Sequence, residues 1–160
     1  MRRTIAIVGG SLVLAMLLVA TAFAAEVSRD EYKEAAEPIC KTSAKATEQI
    51  LAPARRQVSK GQLKQAAAEF AKASRQQAQA LRKLEALPRP VADEARLNRW
   101  FKYLGVEAKL FAVAGKKLKA GDKPRAERII SKLVHNVNRA NVQVLPFSFR
   151  YCRLNAAKFS

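Results

Sequence analysis

Apolar residues recur along this chain at alternating spacings of three and four, the period of one face of an α-helix. From Gln62 to about Leu87 the series is Leu63, Ala67, Phe70, Ser74, Gln77, Leu81 and Leu84. From about Val91 to Ala120 it is Leu97, Phe101, Leu104, Ala108, Phe111, Gly115 and Leu118, the clearest stripe in the chain. A third series follows through Ala126, Ile130, Leu133, Val137, Ala140 and Val144. A fourth amphipathic stretch precedes them all, through Ile39, Ala46, Ile50 and Leu51 toward Lys60.

The residues between these stretches are helix starts and stops. Ser28 with Glu31 three positions later forms a capping-box pattern, and Asp30, Glu31 and Glu34 place negative charge where the helix dipole favours it. Pro38 predicts a break or kink in this first helix, or the first position of its main segment, Pro53 predicts a further bend, and Gly61 ends it. Pro88-Arg89-Pro90 stops the second helix, because neither proline donates to the backbone ladder. Gly121 serves as the C-cap of the third, with Asp122 as N-cap and Pro124 in the first turn of the fourth. Leu145-Pro146 closes the last. Four amphipathic helices joined by short connections predict an all-α protein, an antiparallel up-down-up-down four-helix bundle over residues 25–145. Segments of about 25 residues make a rod roughly 38 Å long. Trp100, beside Phe101, reads as packing at the edge of the third stripe.

The tail, residues 146–160, alternates apolar and other residues from Leu145 to Cys152. An extended path would put Phe147, Phe149 and Tyr151 on one face, covering the open end of the bundle or offering an aromatic surface. Cys40 lies early in the first helix and Cys152 just past the fourth, so the predicted topology brings them to the same end. A disulfide between them is expected in an oxidising compartment.

Export is expected from the first 24 residues. Arg2 and Arg3 provide a positive start, Ile5 to Ala20 is uncharged and apolar, and Ala22-Phe23-Ala24 fits the small-x-small cleavage pattern. Cleavage after Ala24 is the reading adopted. The alternative keeps residues 5–25 as a membrane anchor, since that run is long enough to span a bilayer at about 20 residues per crossing.

Composition then narrows the chemistry. The 160 residues carry 30 Lys and Arg against 13 Asp and Glu, a net charge of +17, yet 49% hydrophobic content is too much for a disordered chain. Removing residues 1–24 takes away Arg2 and Arg3 and no acid, leaving +15 on the exported domain. One His and two Cys cannot supply a four-ligand structural zinc site. Both methionines, Met1 and Met16, leave with the leader, and no C-x-x-C-H is present, so haem ligation of the usual kinds has no residues. There is no G-x-S-x-G, no H-E-x-x-H, no P-loop, no Glu-x-x-His and no dinucleotide fingerprint. No catalytic residue, cofactor or metal is expected, and the chain is read as not an enzyme.

What remains is charge with a location. In the predicted topology the connections near Gly61 and Gly121 share one pole. That pole gathers Arg55, Arg56, Lys60, Lys64, Lys116, Lys117, Lys119, Lys123, Arg125 and Arg128 around only Asp122 and Glu127. A basic stripe continues along the fourth helix through Lys132, His135 and Arg139, spaced by three or four. The neighbouring Asn136, Asn138 and Asn141 are either polar edge positions or ligand contacts. The acids collect at the other pole, in Asp30, Glu31, Glu34, Glu37, Glu85, Asp93 and Glu94. Such a field suits an anionic partner. Export makes an envelope glycopolymer or lipid headgroups a better fit than nucleic acid, and a monomer is expected.

Glu37-Pro38-Ile39-Cys40 and Phe149-Arg150-Tyr151-Cys152 together resemble a group of uncharacterised secreted small helical proteins of actinobacterial type. The resemblance covers most of the chain beyond the leader. It implies a secreted helical bundle and brings no activity with it.

Overall fold

The computed structural model describes residues 26–155. The expected leader, residues 1–24, and the end of the tail lie outside the described residues. The protein is all-α, with four helices: α1 (Arg29–Ser59), α2 (Leu63–Glu85), α3 (Glu94–Lys119) and α4 (Lys123–Gln143). Short 3₁₀ turns at Val91–Asp93 and Leu145–Phe147 precede α3 and follow α4.

The capping box at Ser28 forms in full. The Ser28 hydroxyl accepts from the Glu31 amide at 3.2 Å, and the Glu31 carboxylate accepts from the Ser28 amide at 2.7 Å. Hydrogen bonding of the carboxylate by the Ser28 amide, and then by the Ser28 hydroxyl, holds the Glu31 carboxyl below its ordinary range.

Neither proline interrupts α1, so the expected break at Pro38 does not occur: Pro38 and Pro53 both lie within one helix of 31 residues. The buried positions of α1 explain the tolerance. Tyr32, Ala36, Cys40, Ser43, Thr47, Leu51 and Ala54 form one continuous seam, and the prolines stand off it. Each proline frees the carbonyl four residues earlier, at Glu34 and Gln49, and both of those residues are exposed, where water can accept the bond.

The turns after α1 and α3 are built alike. Gly61 (φ 73°) and Gly121 (φ 78°) occupy the left-handed region. The next amide in each reaches back to the last helical turn, Gln62 to the Gln57 carbonyl at 2.7 Å and Asp122 to the Lys117 carbonyl at 2.9 Å. Asp122 then caps α4 by accepting from the Arg125 amide.

Two apolar clusters show which helix ends meet. One joins Leu51 and Ala54 of α1 and Ala66 and Ala67 of α2 to Phe111 and Leu118 of α3 and Ala126 and Leu133 of α4. The other joins Tyr32 and Cys40, Leu84, Leu97, Trp100 and Leu104, Ala140 and Val144, and the tail residues Phe147, Phe149 and Cys152. Consecutive helices therefore run in opposite directions, with the Gly61 and Gly121 turns at one pole and the tail at the other.

The ring is not closed by helix contacts. α1 packs on α2, α2 on α3 and α3 on α4, but α1 and α4 scarcely meet. The tail stands in that gap. Cys152 is joined to Cys40 by a disulfide with Cα atoms 4.9 Å apart. The Glu37 carboxylate, one turn before Cys40, accepts from the amides of Arg150 and of Tyr151, the latter at 2.9 Å. From the other side the Asn141 amide group clasps Leu154, donating to its carbonyl at 2.8 Å and accepting from its amide at 3.0 Å.

The tail is not strand-like. Leu145–Phe147 form a 3₁₀ turn with Pro146 at its second position, and Ser148 follows in the left-handed region at φ 49°, which breaks the period-two alternation. Phe147 and Phe149 still end on the same side, stacked with centroids 5.2 Å apart, packed on Tyr32, and buried. Trp100 stacks on Phe149 and is 1% exposed, so it is core rather than edge.

Candidate functional site

The residues expected at the basic pole lie in the last turns of α1 and α3, the first turns of α2 and α4, and the two glycine turns. Arg55, Arg56, Lys60, Lys64, Lys116, Lys119, Lys123, Arg125 and Arg128 are exposed, and Lys117 is half-buried. Both nearby acids are engaged: Asp122 holds Arg125 at 2.9 Å and Glu127 holds Lys123 at 3.9 Å. Among the described residues Lys60, Lys64, Lys116, Lys119 and Arg128 form no ion pair. Lys132, His135 and Arg139 continue along α4, all exposed, with the Arg139 guanidinium 5.2 Å from the Tyr103 ring.

At the opposite pole Glu31, Glu37, Asp93 and Glu94 are engaged within the fold. Asp93 is buried and receives two bonds from Arg29, at 2.8 and 2.9 Å, locking the start of α1 to the start of α3. Arg96 approaches the same carboxylate, and Arg89 pairs with Glu94.

Two of the three α4 asparagines named above serve the fold. Asn136 is buried and donates to the Tyr103 carbonyl at 2.9 Å, Asn141 clasps the tail, and Asn138 is exposed.

A second feature lies inside. A cleft of about 430 Å³, open to solvent on one side, is lined by α1, α2, α3 and the tail, in the space that the parting of α1 and α4 leaves. Leu51, Leu84, Leu104 and Phe111 give it apolar walls, and Arg55, Arg150 and Arg153 border it beside Glu48. Ser43, Thr47, Gln77 and Trp100 also line it, all buried. The Thr47 hydroxyl and the Trp100 indole nitrogen have no hydrogen-bond partner. Gln77 donates from Nε2 to Glu107 Oε2 at 2.7 Å, and Glu107 is wholly buried with its other oxygen unpartnered. Desolvation pushes the Glu107 carboxyl up to about 8, so it is held neutral at pH 7.

The sequence reading placed Gln77 in the seam of α2 but passed over Thr47 and Glu107. A signal for Glu107 exists: Trp100, Leu104, Glu107, Phe111, Ala114 and Leu118 form a second series with the same spacing, beside the stripe through Leu97. A helix packed on two neighbours carries two such series. α3 is that helix, touching both α2 and α4.

Among the described residues no cluster of three or more His, Cys, Asp or Glu is placed to hold a metal ion, and no helix is long and apolar enough to cross a membrane. Comparison with protein-family models, with curated protein sequences and with solved structures finds no match.

Proposed function

We propose that this chain is an exported, monomeric, non-enzymatic binding or structural protein of the cell envelope, whose basic pole contacts an anionic polymer or lipid headgroups. One observation supports the reading above others. Ten basic residues stand around two glycine turns with only Asp122 and Glu127 among them, while at the far pole Asp93 is paired with Arg29 and Arg96 and Glu94 with Arg89. A field of one sign draws a polyanion to that end, and binding gains free energy as counterions leave the polymer.

The test is retention on heparin resin, anionic vesicles and duplex DNA across a salt series. Salt-sensitive binding to resin and vesicles is expected, as screening shortens from about 10 Å at 0.1 M to about 3 Å at 1 M. Changing Lys64, Lys116, Lys119 and Arg128 together to Glu is expected to weaken retention at least tenfold. Unchanged retention would remove the basic pole from the function. Duplex DNA that stays bound at salt releasing the other two would favour an exported DNA-binding protein instead. Intact mass of exported material is expected to begin at Ala25. A membrane-bound form that keeps residues 5–25 would make the protein anchored.

A further inference from the structure

From the cleft between α1, α2, α3 and the tail, we infer a binding site for a single-chain anionic amphiphile, a hydrocarbon chain that ends in a carboxylate. The volume, about 430 Å³, lies within the range of pockets that take small organic ligands, roughly 300–1,000 Å³. Its depth is apolar. Leu51 of α1 faces Leu84, Leu104 and Phe111 of α2 and α3. The Cys40–Cys152 pair belongs to the same wall, and its bridged sulfurs carry neither charge nor ionisable proton. Trp100 and Thr47 present carbon to the open space, because Trp100 Nε1 and Thr47 Oγ1 are sealed from solvent, and the Gln77 amide group is committed to Glu107. Each methylene buried on such walls tightens binding about fourfold.

The border is cationic. Arg55 of α1 and Arg150 and Arg153 of the tail line the cleft with Glu48, three guanidinium groups against one carboxylate, and all four residues are exposed. Arg150 and Arg153 form no ion pair among the described residues, and the Arg150 guanidinium lies 5.2 Å from the Tyr151 ring. A guanidinium offers paired N–H donors that match the two oxygens of a carboxylate. Only a ligand with both halves uses the whole site: a plain hydrocarbon leaves the positive border unmet, and a small anion leaves the apolar walls in water. Glu37 accepts from the amides of Arg150 and Tyr151, and Cys152 is bonded to Cys40, so both tail arginines stand on backbone that is fixed before a ligand arrives. Arg55 belongs to the basic pole as well, but Arg150 and Arg153 do not.

The experiment is calorimetric titration of the intact protein with octanoate, decanoate and dodecanoate, each below its micelle-forming concentration. One site per chain is expected, with affinity rising on the order of tenfold for each two methylenes until the cleft is filled. Dodecyltrimethylammonium, which has the same chain with a cationic head, is expected to bind about tenfold more weakly than dodecanoate. Arg150→Gln combined with Arg153→Gln is expected to narrow that preference. The pair should fold, since both side chains are exposed and the tail is held through backbone amides and Cys152. Ala44→Leu, which narrows the cleft from its α1 wall, is expected to weaken the whole series. The charge-reversed basic pole keeps all three cleft arginines and is expected to bind dodecanoate as before, which separates this site from the polyanion reading. No saturable binding, many ions bound per chain, affinity independent of chain length, or equal affinity for the two heads would overturn the proposal. Binding that is absent from the intact chain and appears in Phe159→Asp would overturn it too, and would name the residues after Asn155, itself part of the lining, as the occupant.

Discussion

Glu107 shows how one side chain sets the pH response of the protein. Its carboxyl is raised to about 8 by burial against an ordinary value of 4.5, so the folded state holds a proton that the unfolded chain gives up. For a group with a raised folded-state value, the stabilising contribution is complete below about 4.5 and is lost as pH rises toward 8. At 1.36 kcal/mol per pH unit the loss across that window is on the order of 4 kcal/mol. Urea midpoints are therefore expected to fall from pH 5 to pH 8, and Glu107→Gln is expected to flatten the curve. In that variant Gln77 can turn its amide to accept from Gln at position 107, so stability at pH 5 changes little. A wild-type midpoint independent of pH would mean that Glu107 is not a neutral acid. Thr47→Val belongs to the same scale: deleting a buried, unpartnered hydroxyl is expected to raise stability by about 1 kcal/mol. None of this could be read from spacing, which marks positions as inward-facing but cannot say whether an inward polar atom will find a partner.

The helix is the scale at which the sequence was most legible. Every residue of the stripe from Leu97 to Leu118 is buried, and both glycine turns fall where the caps predict. Pro38 misleads as a break because a proline's effect depends on which face it occupies, and that is settled only by the partner helix. The tail misled for a different reason: alternation over a few residues is compatible with a 3₁₀ turn once Pro146 and a left-handed Ser148 reset the direction. Two glycines of α3 give a paired test of how closely helices approach. A Cβ on Gly115 would lie 3.1 Å from the Ala67 carbonyl oxygen and 3.2 Å from the Phe70 Cβ, neither of which moves without moving α2. A Cβ on Gly105 would meet only the Leu81 side chain, at 3.6 Å. Helix propensity favours alanine by about 1 kcal/mol at either site. Overpacking costs about 1–3 kcal/mol, and it applies only at position 115. Gly105→Ala is thus expected to raise the thermal midpoint and Gly115→Ala to lower it. The same sign in both would place α2 and α3 farther apart than described.

At the scale of the whole molecule, four helices contact in sequence but the first and last scarcely touch, and the tail completes the enclosure. Its attachment is redundant by design of the chain: Glu37 and Cys40, one helical turn apart, seize Arg150, Tyr151 and Cys152, so the Glu-Pro-Ile-Cys and Phe-Arg-Tyr-Cys segments meet in space. The covalent link spans 112 residues, and in the chain-entropy treatment a loop of that length contributes about 4–5 kcal/mol. The basic pole pulls the other way. A net +17 repels itself, most strongly where Lys116, Lys119 and Lys64 gather, so the far pole must supply stability that the charged one cannot. Replacing Cys40 and Cys152 together by Ala is expected to cost about 4 kcal/mol in denaturant unfolding. Much of that loss should be recovered by added salt, which screens the repulsion. Amide exchange in the variant is expected to rise first around Phe147, Phe149 and the early turns of α1, where the tail's aromatic rings rest on Tyr32 and Trp100. A loss nearer 1 kcal/mol, with exchange unchanged there, would mean that Glu37 and Asn141 hold the tail without the disulfide. The three-way contact of α1, tail and α4 would then be maintained by hydrogen bonds to the tail backbone and by the burial of Phe147 and Phe149.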